Sequence, residues 1–254
     1  MANDQAATTK ICGFDADNII VRNRDLVNDL MGKVSFTEMI FIQSLGQSPS
    51  PSQTKILDAV LVTIMEHGLV PSAITTRLTH YGAPESFQGA VVAGLLGVGD
   101  RYAGTASECG ELLEKIVNAE INIREQVAID IIRDYRQRRR PLPGFGHPIH
   151  QQKDPRVSRL LDIVAETEIE GNYISAMNLL ETSLNEELGK NLVTNVSAAI
   201  AAVLGEANIP SGMMRGIVLT ARCAGLVGHV FEEMQNPIAP NMWQASQAEV
   251  SYEK

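Results

Sequence analysis

The chain has 254 residues, 44% of them hydrophobic, and carries 21 Lys and Arg against 30 Asp and Glu, a formal net charge of −9. That length can bury a core without covalent stapling, and the acidic balance argues against a general binder of phosphate backbones, so no nucleic-acid partner is expected and any polyanion contact is local. Cys12, Cys109 and Cys223 lie far apart and outside any CxxC spacing, which excludes a disulfide framework and fits a reducing cytoplasm; the five histidines lack ligand spacing, so no metal is expected.

From the N-terminus, "TKICGFD" and "NIIVRN" form a predicted short hairpin around Asp15 to Asn18. Ser35 with Glu38 makes a capping box for a short helix, and "QSPSPSQ" at Gln47 reads as a loop. From Gln53, Ile56, Leu57, Val60, Leu61, Ile64 and Met65 recur at helical spacing, with Ser52 placed to cap and Gly68 to stop. Further on, Asp154 caps a helix with Pro155 at its first position and Val157, Leu160, Leu161 and Val164 on one face, ending near Gly171. A third helix spans Tyr173 to Leu188, with Ile174, Met177, Leu180, Leu184 and Leu188 on its stripe and Gly189 as its stop. The segment from Ser211 to about Met234 is apolar round most of its circumference and narrow at Gly216, Ala221, Ala224, Gly225 and Gly228, so it reads as a buried helix or a close-packed subunit contact. Arg222 and His229 interrupt its hydrophobic run, so it is not a bilayer span, and the first residues carry no basic and apolar leader; no membrane partner is expected. The class is all-α.

Four clusters carry candidate chemistry. In "RPLPGFGHPIHQQKDPRVSRL", residues 140 to 160, Gly144 and Gly146 permit a tight turn and Pro141, Pro143 and Pro148 stiffen it, so His147 sits on a rigid loop ahead of a helix whose first turn holds Arg156. His67, between Glu66 and Gly68, is either a helix-terminal histidine meeting the negative end of the dipole or a proton-exchanging group. "GVGDRYAGTASE", residues 97 to 108, is either an anion-binding turn around Asp100 and Arg101 or a tight connection. Arg222, a charge inside an apolar helix, requires an anionic partner from the protein or from a ligand. In front of the glycine turn, Arg133, Arg136, Arg138, Arg139 and Arg140 form either a solvated helix end or a clamp for a few phosphates. Histidines beside arginines suited to planar carboxylates amount to an anion site, and chemistry on a carboxylate-bearing molecule is the minimal reading.

The order of these motifs resembles the citrate synthase superfamily. "LPGFGHPIHQQKDPRVSRLL" is similar to its GFGH…DPR signature, "EHGLVPSAITTR" to its histidine-bearing helix end, "NVSAAIAAVLGEANIP" to its third catalytic segment and "ARCAGLVGHVFEEM" to its last long helix. The turn at "GVGDRYAGTASE" looks more like the GDRFGGA turn of citryl-CoA lyases and of the lyase domain of ATP-citrate lyase than the LHGGANE of synthases, and places Tyr102 where a synthase has a histidine. The resemblance implies an all-α homodimer with a larger domain, residues 1–104 and 209–254, a smaller one, residues 105–208, and a coenzyme A thioester in the cleft between them. It implies His147 at the oxygen of the bond made or broken, His67, Arg156 and Arg222 on the oxo-acid portion, and Leu142, Pro143, Gly144, Phe145, Gly146, Arg139, Arg140 and Arg101 around coenzyme A.

Two departures stand out. Where the family has an aspartate after "NV", this chain has Ser197, and a serine cannot serve as a carboxylate base without an activating partner. No arginine follows Arg222, so the arginine that synthases offer across the dimer has no counterpart, which suits a product with one carboxylate such as pyruvate. The reading is a lyase acting on citryl-CoA or a relative such as citramalyl-CoA; the alternatives are condensation of acetyl-CoA with a 2-oxo acid, and a catalytically silent paralogue that binds coenzyme A or a carboxylate.

Overall fold

A computed structural model describes residues 7–100, 105–146 and 154–253. The N-terminal segment forms an antiparallel sheet in the order β1 (Cys12–Phe14), β2 (Ile19–Val21), β3 (Arg24–Asp25). Asp15 closes the first turn by accepting the amides of Asp17 and Asn18. Arg22 and Asn23, both at positive φ (49° and 62°), make the second as a two-residue hairpin turn whose twist matches the strands. The expected hairpin is present; β3, only two residues long, is too short to announce itself by alternation. Val21, Leu30 and Ile42 seat this sheet on α1, and Arg22 donates to the carbonyls of Gln43 and Ser44 at the end of that helix.

The rest is helical: α1 (Phe36–Leu45), α2 (Pro51–Met65), α3 (Pro71–Gly82), α4 (Phe87–Leu96), α5 (Thr105–Val117), α6 (Arg124–Gln137), α7 (Pro155–Ala165), α8 (Asn172–Leu188), α9 (Val196–Glu206), α10 (Ser211–Gln235) and α11 (Ala239–Glu249). The Ser35 and Glu38 capping box forms as expected. A second one revises the start of α2: Ser50, not Ser52, caps it, Pro51 takes the first position and Gln53 answers from the third. At its other end α2 stops at Met65 rather than Gly68, because the Glu66 carboxylate accepts the amides of His67 and Gly68 and turns the chain into extended geometry. Helix α7 has Asp154 as cap and Pro155 at its first position but ends at Ala165, well before Gly171. In α8 the expected stripe buries Met177, Leu180 and Leu184, and Gly189 terminates it in the left-handed region.

At the centre lies α9, buried from Ala198 to Glu206; its alanines keep the helix thin enough for α5, α7, α8 and α2 to close around it. The main core runs from α2 through α5 to α9 and into α10. A smaller cluster, with Ala73, Val91, Leu226 and Val230, seats α3 and α4 on the second half of α10. The long helix is therefore half covered: Met214, Ile217, Ala221, Gly225, Leu226 and Val230 face inward, whereas Gly216, Ala224, Val227, Gly228 and Phe231 are exposed in this single chain. No helix of the described residues is long and apolar enough to cross a membrane.

Candidate functional site

A cavity of about 550 Å³ opens where the ends of several helices meet. The end of α2 supplies Glu66 and His67, the start of α5 supplies Thr105, the glycine turn supplies Gly146, and the first turn of α7 supplies Arg156. The start of α9 adds Asn195 and Ser197, and the middle of α10 adds Arg222. The wall thus draws on both of the sequence segments expected to form the larger and the smaller domain. Of the expected site residues, His67, Gly146, Arg156, Ser197 and Arg222 are brought together here. His147 and Arg101 lie outside the described residues, as does Tyr102.

Each side chain has a local reason for its place. Arg156 sits on the first turn of α7 and is folded back onto that helix's own cap: Nη2 donates to Oδ2 of Asp154 at 2.7 Å and Nε lies 3.1 and 3.2 Å from the two carboxylate oxygens. Asp154 is almost wholly buried, so the guanidinium and its counter-charge form one rigid unit at the cavity edge. Arg222, in contrast, makes no ion pair within 4 Å among the described residues, although it is only partly exposed. Burial pulls its guanidinium below the ordinary value, and the nearby Glu66 charge opposes that. A half-buried guanidinium without a counter-ion is a receptor for an anion.

Glu66 is the carboxylate that lines the cavity among the described residues. Burial pushes its carboxyl up, but the His67 amide, the His229 ring and the Gly68 amide outweigh that and hold it below the ordinary value, so it is charged near neutrality. Ser197 stands at the second position of α9, whose cap Asn195 accepts the Ser197 amide. The Ser197 hydroxyl accepts a hydrogen bond from the Thr105 hydroxyl at 3.1 Å and has no basic side chain beside it among its described partners. Without a base it is no activated nucleophile; with Thr105 it forms a pair of hydroxyls at the positive end of a buried helix, suited to an oxygen bearing partial negative charge.

The glycine turn lies deeper than expected. Leu142, Pro143, Gly144 and Phe145 are buried, and of the turn's described residues only Gly146 reaches the cavity. Gly144, at φ +88°, has no room for a side chain, because a Cβ would lie 2.6 Å from that of Ala198 and 3.0 Å from the Cys109 sulfur. The turn is pinned along residues 193–195: the Gly146 amide donates to the Val193 carbonyl, the Asn195 amide to the Gly144 carbonyl, and the Asn195 side chain to the Gly146 carbonyl. These bonds fix the backbone of the turn up to Gly146.

The arginine cluster pairs mostly within the protein. Arg133 and Arg136 share Glu187, Arg138 reaches back to Asp134, and Arg140 reaches Glu108 while lying 5.7 Å over the Tyr135 ring. Arg139, exposed just past α6 at φ 54°, has no carboxylate partner among the described residues. None of the five lines the cavity. Among the described residues, no group of three His, Cys, Asp or Glu is arranged to hold a metal.

Behind the cavity lies an ionic network that sequence reasoning missed. Arg77 on α3, 2% exposed, donates through Nε to Nδ1 of His229 at 2.9 Å and through Nη1 to Glu233 at 2.8 Å, and its Nη2 contacts Glu232. His229 in turn holds Nε2 2.9 Å from Oε2 of Glu66, at ion-pair distance but off the line of a good hydrogen bond. The available signal was that Arg222 and His229 are seven residues apart on one helix, which places both on one face of an otherwise apolar element.

Comparison with known proteins places this geometry among relatives. Residues 23–241 match the model of the family described as citrate synthase, C-terminal domain. The solved citryl-CoA lyase of Hydrogenobacter thermophilus superposes with a TM-score of 0.86 at 27% identity, covering 98% of this chain and 95% of that one. An ATP citrate lyase of Methanosaeta concilii, solved in complex with (3S)-citryl-CoA, superposes over 100% of this chain and 42% of its own (TM-score 0.79, 15% identity), a likeness of fold. The citrate synthase of Synechocystis is 26% identical over 208 residues, 80% of this chain and 50% of its own length. The chain thus spans about half the length of the citrate synthase it matches.

Proposed function

The chain belongs to the citrate synthase family, and on that premise we propose that it acts on a coenzyme A thioester as a lyase, cleaving citryl-CoA or a related 3-hydroxyacyl-CoA such as citramalyl-CoA to acetyl-CoA and a 2-oxo acid. The observation that carries this reading is the Arg222 guanidinium, without an ion pair among the described residues, in one cavity with His67, Arg156 and Ser197. The cleaving direction is favoured by the near-complete mutual coverage with a citryl-CoA lyase.

In this mechanism Arg222 holds a carboxylate of the oxo-acid portion, with Arg156 and His67 beside it. His147 removes the proton from the substrate hydroxyl. The carbon–carbon bond then breaks, the hydroxyl carbon becomes the ketone of the 2-oxo acid, and the bonding pair passes into the thioester carbonyl. The enolate oxygen so formed is stabilised by a hydroxyl donor of the Ser197 and Thr105 pair at the N-terminus of α9, and protonation at carbon yields acetyl-CoA. Arg139, the unpaired member of its cluster, is the candidate contact for a coenzyme A phosphate, and the exposed apolar stripe of α10 at Val227 and Phe231 is the candidate contact for a second copy in a homodimer.

The test mixes the purified protein with citryl-CoA and follows acetyl-CoA and oxaloacetate, with His147→Ala and Arg222→Met as controls. Formation of both products, lost in both variants, supports the lyase. Tight binding of the thioester without turnover favours a silent binder, the reading to which a serine lacking an adjoining base points. Turnover that survives in His147→Ala removes that residue from the mechanism.

A further inference from the structure

The wall of the cavity contains an apparent conflict: a charged carboxylate, Glu66, faces the same space as the guanidinium that would receive the substrate. Two side chains of opposite charge on facing elements would ordinarily pair, and a paired Arg222 would be a poor receptor. They do not pair within 4 Å because Glu66 is engaged elsewhere. Its Oε1 accepts the His67 and Gly68 amides, both at 2.7 Å, and its Oε2 faces Nε2 of His229.

His229 is itself constrained. Its Nδ1 accepts from Arg77, so the ring proton is on Nε2, which lies 2.9 Å from Oε2 of Glu66 but off the line of a good hydrogen bond. Arg77 is anchored by Glu233, 2% exposed, whose other oxygen accepts the Ile238 and Ala239 amides at the start of α11. The chain of contacts from α11 to Glu233, Arg77, His229 and Glu66 therefore ends on the backbone of His67. We propose that Arg77 and His229 are positioning residues that hold the Glu66 carboxylate on the His67 and Gly68 backbone and away from Arg222, leaving Arg222 open to the substrate carboxylate. The assignment rests on the reading of Arg222 given above; the network itself does not.

The test compares two substitutions in the full-length protein. His229→Leu removes both the acceptor for Arg77 and the polar nitrogen beside Glu66, whereas His229→Gln offers an amide oxygen to the first and an N–H to the second. With citryl-CoA as substrate, His229→Leu should raise KM on the order of tenfold or more, since small misplacements of binding groups are costly, with a smaller change in kcat, and His229→Gln should recover most of the loss. A folded His229→Leu with unchanged KM overturns the proposal, as does equal impairment of both variants with a matching loss of thermal stability, which is the mark of a merely structural residue. The proposed reaction and the network fail separately: if the native protein turns over no thioester, the reaction falls, and the network is read from the ¹⁵N resonances of labelled histidine. A neutral His229 protonated on Nε2, lost as a signature in Arg77→Met, supports the network, and an Nδ1-protonated or doubly protonated ring overturns it.

Discussion

Replacing Gly225 by alanine tests how closely α10 must pass the end of α2 for the site to form. A Cβ at this position would lie 2.1 Å from the Met65 carbonyl oxygen, 3.1 Å from its carbon and 3.3 Å from Oε2 of Glu66. The first distance is about 1 Å shorter than non-bonded atoms accept, and the obstacle is backbone, so rotamer changes cannot relieve it. Alanine favours a helix interior over glycine by about 1 kcal/mol, while forcing atoms into a packed interior costs about 1–3 kcal/mol. The net expectation is a loss of up to about 2 kcal/mol, which for a chain of this size is a fall in Tm of a few degrees. The effect on the site is larger, because α10 carries Arg222 and α2 leads into His67: a displacement of about 1 Å should lower kcat/KM by up to about a hundredfold. Differential scanning calorimetry and the oxaloacetate-release assay read the two effects. Gly212→Ala, at an exposed position of the same helix with nothing within 4 Å, should leave kcat/KM unchanged and Tm equal to or slightly above the native value. A Gly225→Ala protein that melts higher than the native one and keeps its kcat/KM would refute the reasoning, since α10 would then not depend on this approach to seat Arg222.

Three further outcomes are expected. Burial raises the Glu206 carboxyl above its ordinary value of 4.5 against the amides at the start of α8 that it accepts. Its favourable contribution is therefore complete below the unfolded value and declines as pH rises through the raised native one, so the Tm of Glu206→Gln relative to the native protein should climb as pH rises above the ordinary value of 4.5; a pH-independent difference would count against it. Phe231→Glu places a charge on the exposed stripe of α10 and should shift the proposed homodimer to a monomer in sedimentation without lowering helix content; a native protein that sediments as a monomer would remove the proposed contact. Cys12 is exposed, whereas burial, with the Glu108 charge, pushes the Cys109 thiol up to about 12; a thiol reagent should label Cys12 rapidly and Cys109 only in denaturant.

The candidate site was legible in part. His67, Arg156 and Arg222 could be singled out because a histidine at a helix end, an arginine beside a capping aspartate and a charge in an apolar helix are anomalies visible along one dimension. Ser197 was visible only against a family pattern. Arg77 was invisible: a single arginine in "AITTRLTH" reads as an ordinary helical surface residue, and nothing local says that α10 will bury it beside Glu233. The arginine cluster shows the reverse. Five arginines in eight residues left a solvated helix end and a phosphate clamp both open, and four of them find carboxylates of the protein, three on α8 or α5 and one a turn back in α6.

What the sequence by itself determined is local: the caps at Ser35 and Asp154, the stop at Gly189, the apolar periods of α2, α7 and α8, and hence an all-α class with a small N-terminal hairpin. These follow from hydrogen bonds and side-chain spacing within a few residues, so they can be read from order alone. Only the tertiary structure decided which charges are satisfied. Glu66 and Arg222 are separated by more than 150 positions in the chain, and whether they quench one another depends on His229, Arg77 and the close passage of two helices at Gly225. Electrostatic partnership is set by distance and burial, and neither is a property of a position in the chain until the fold has brought its neighbours to it.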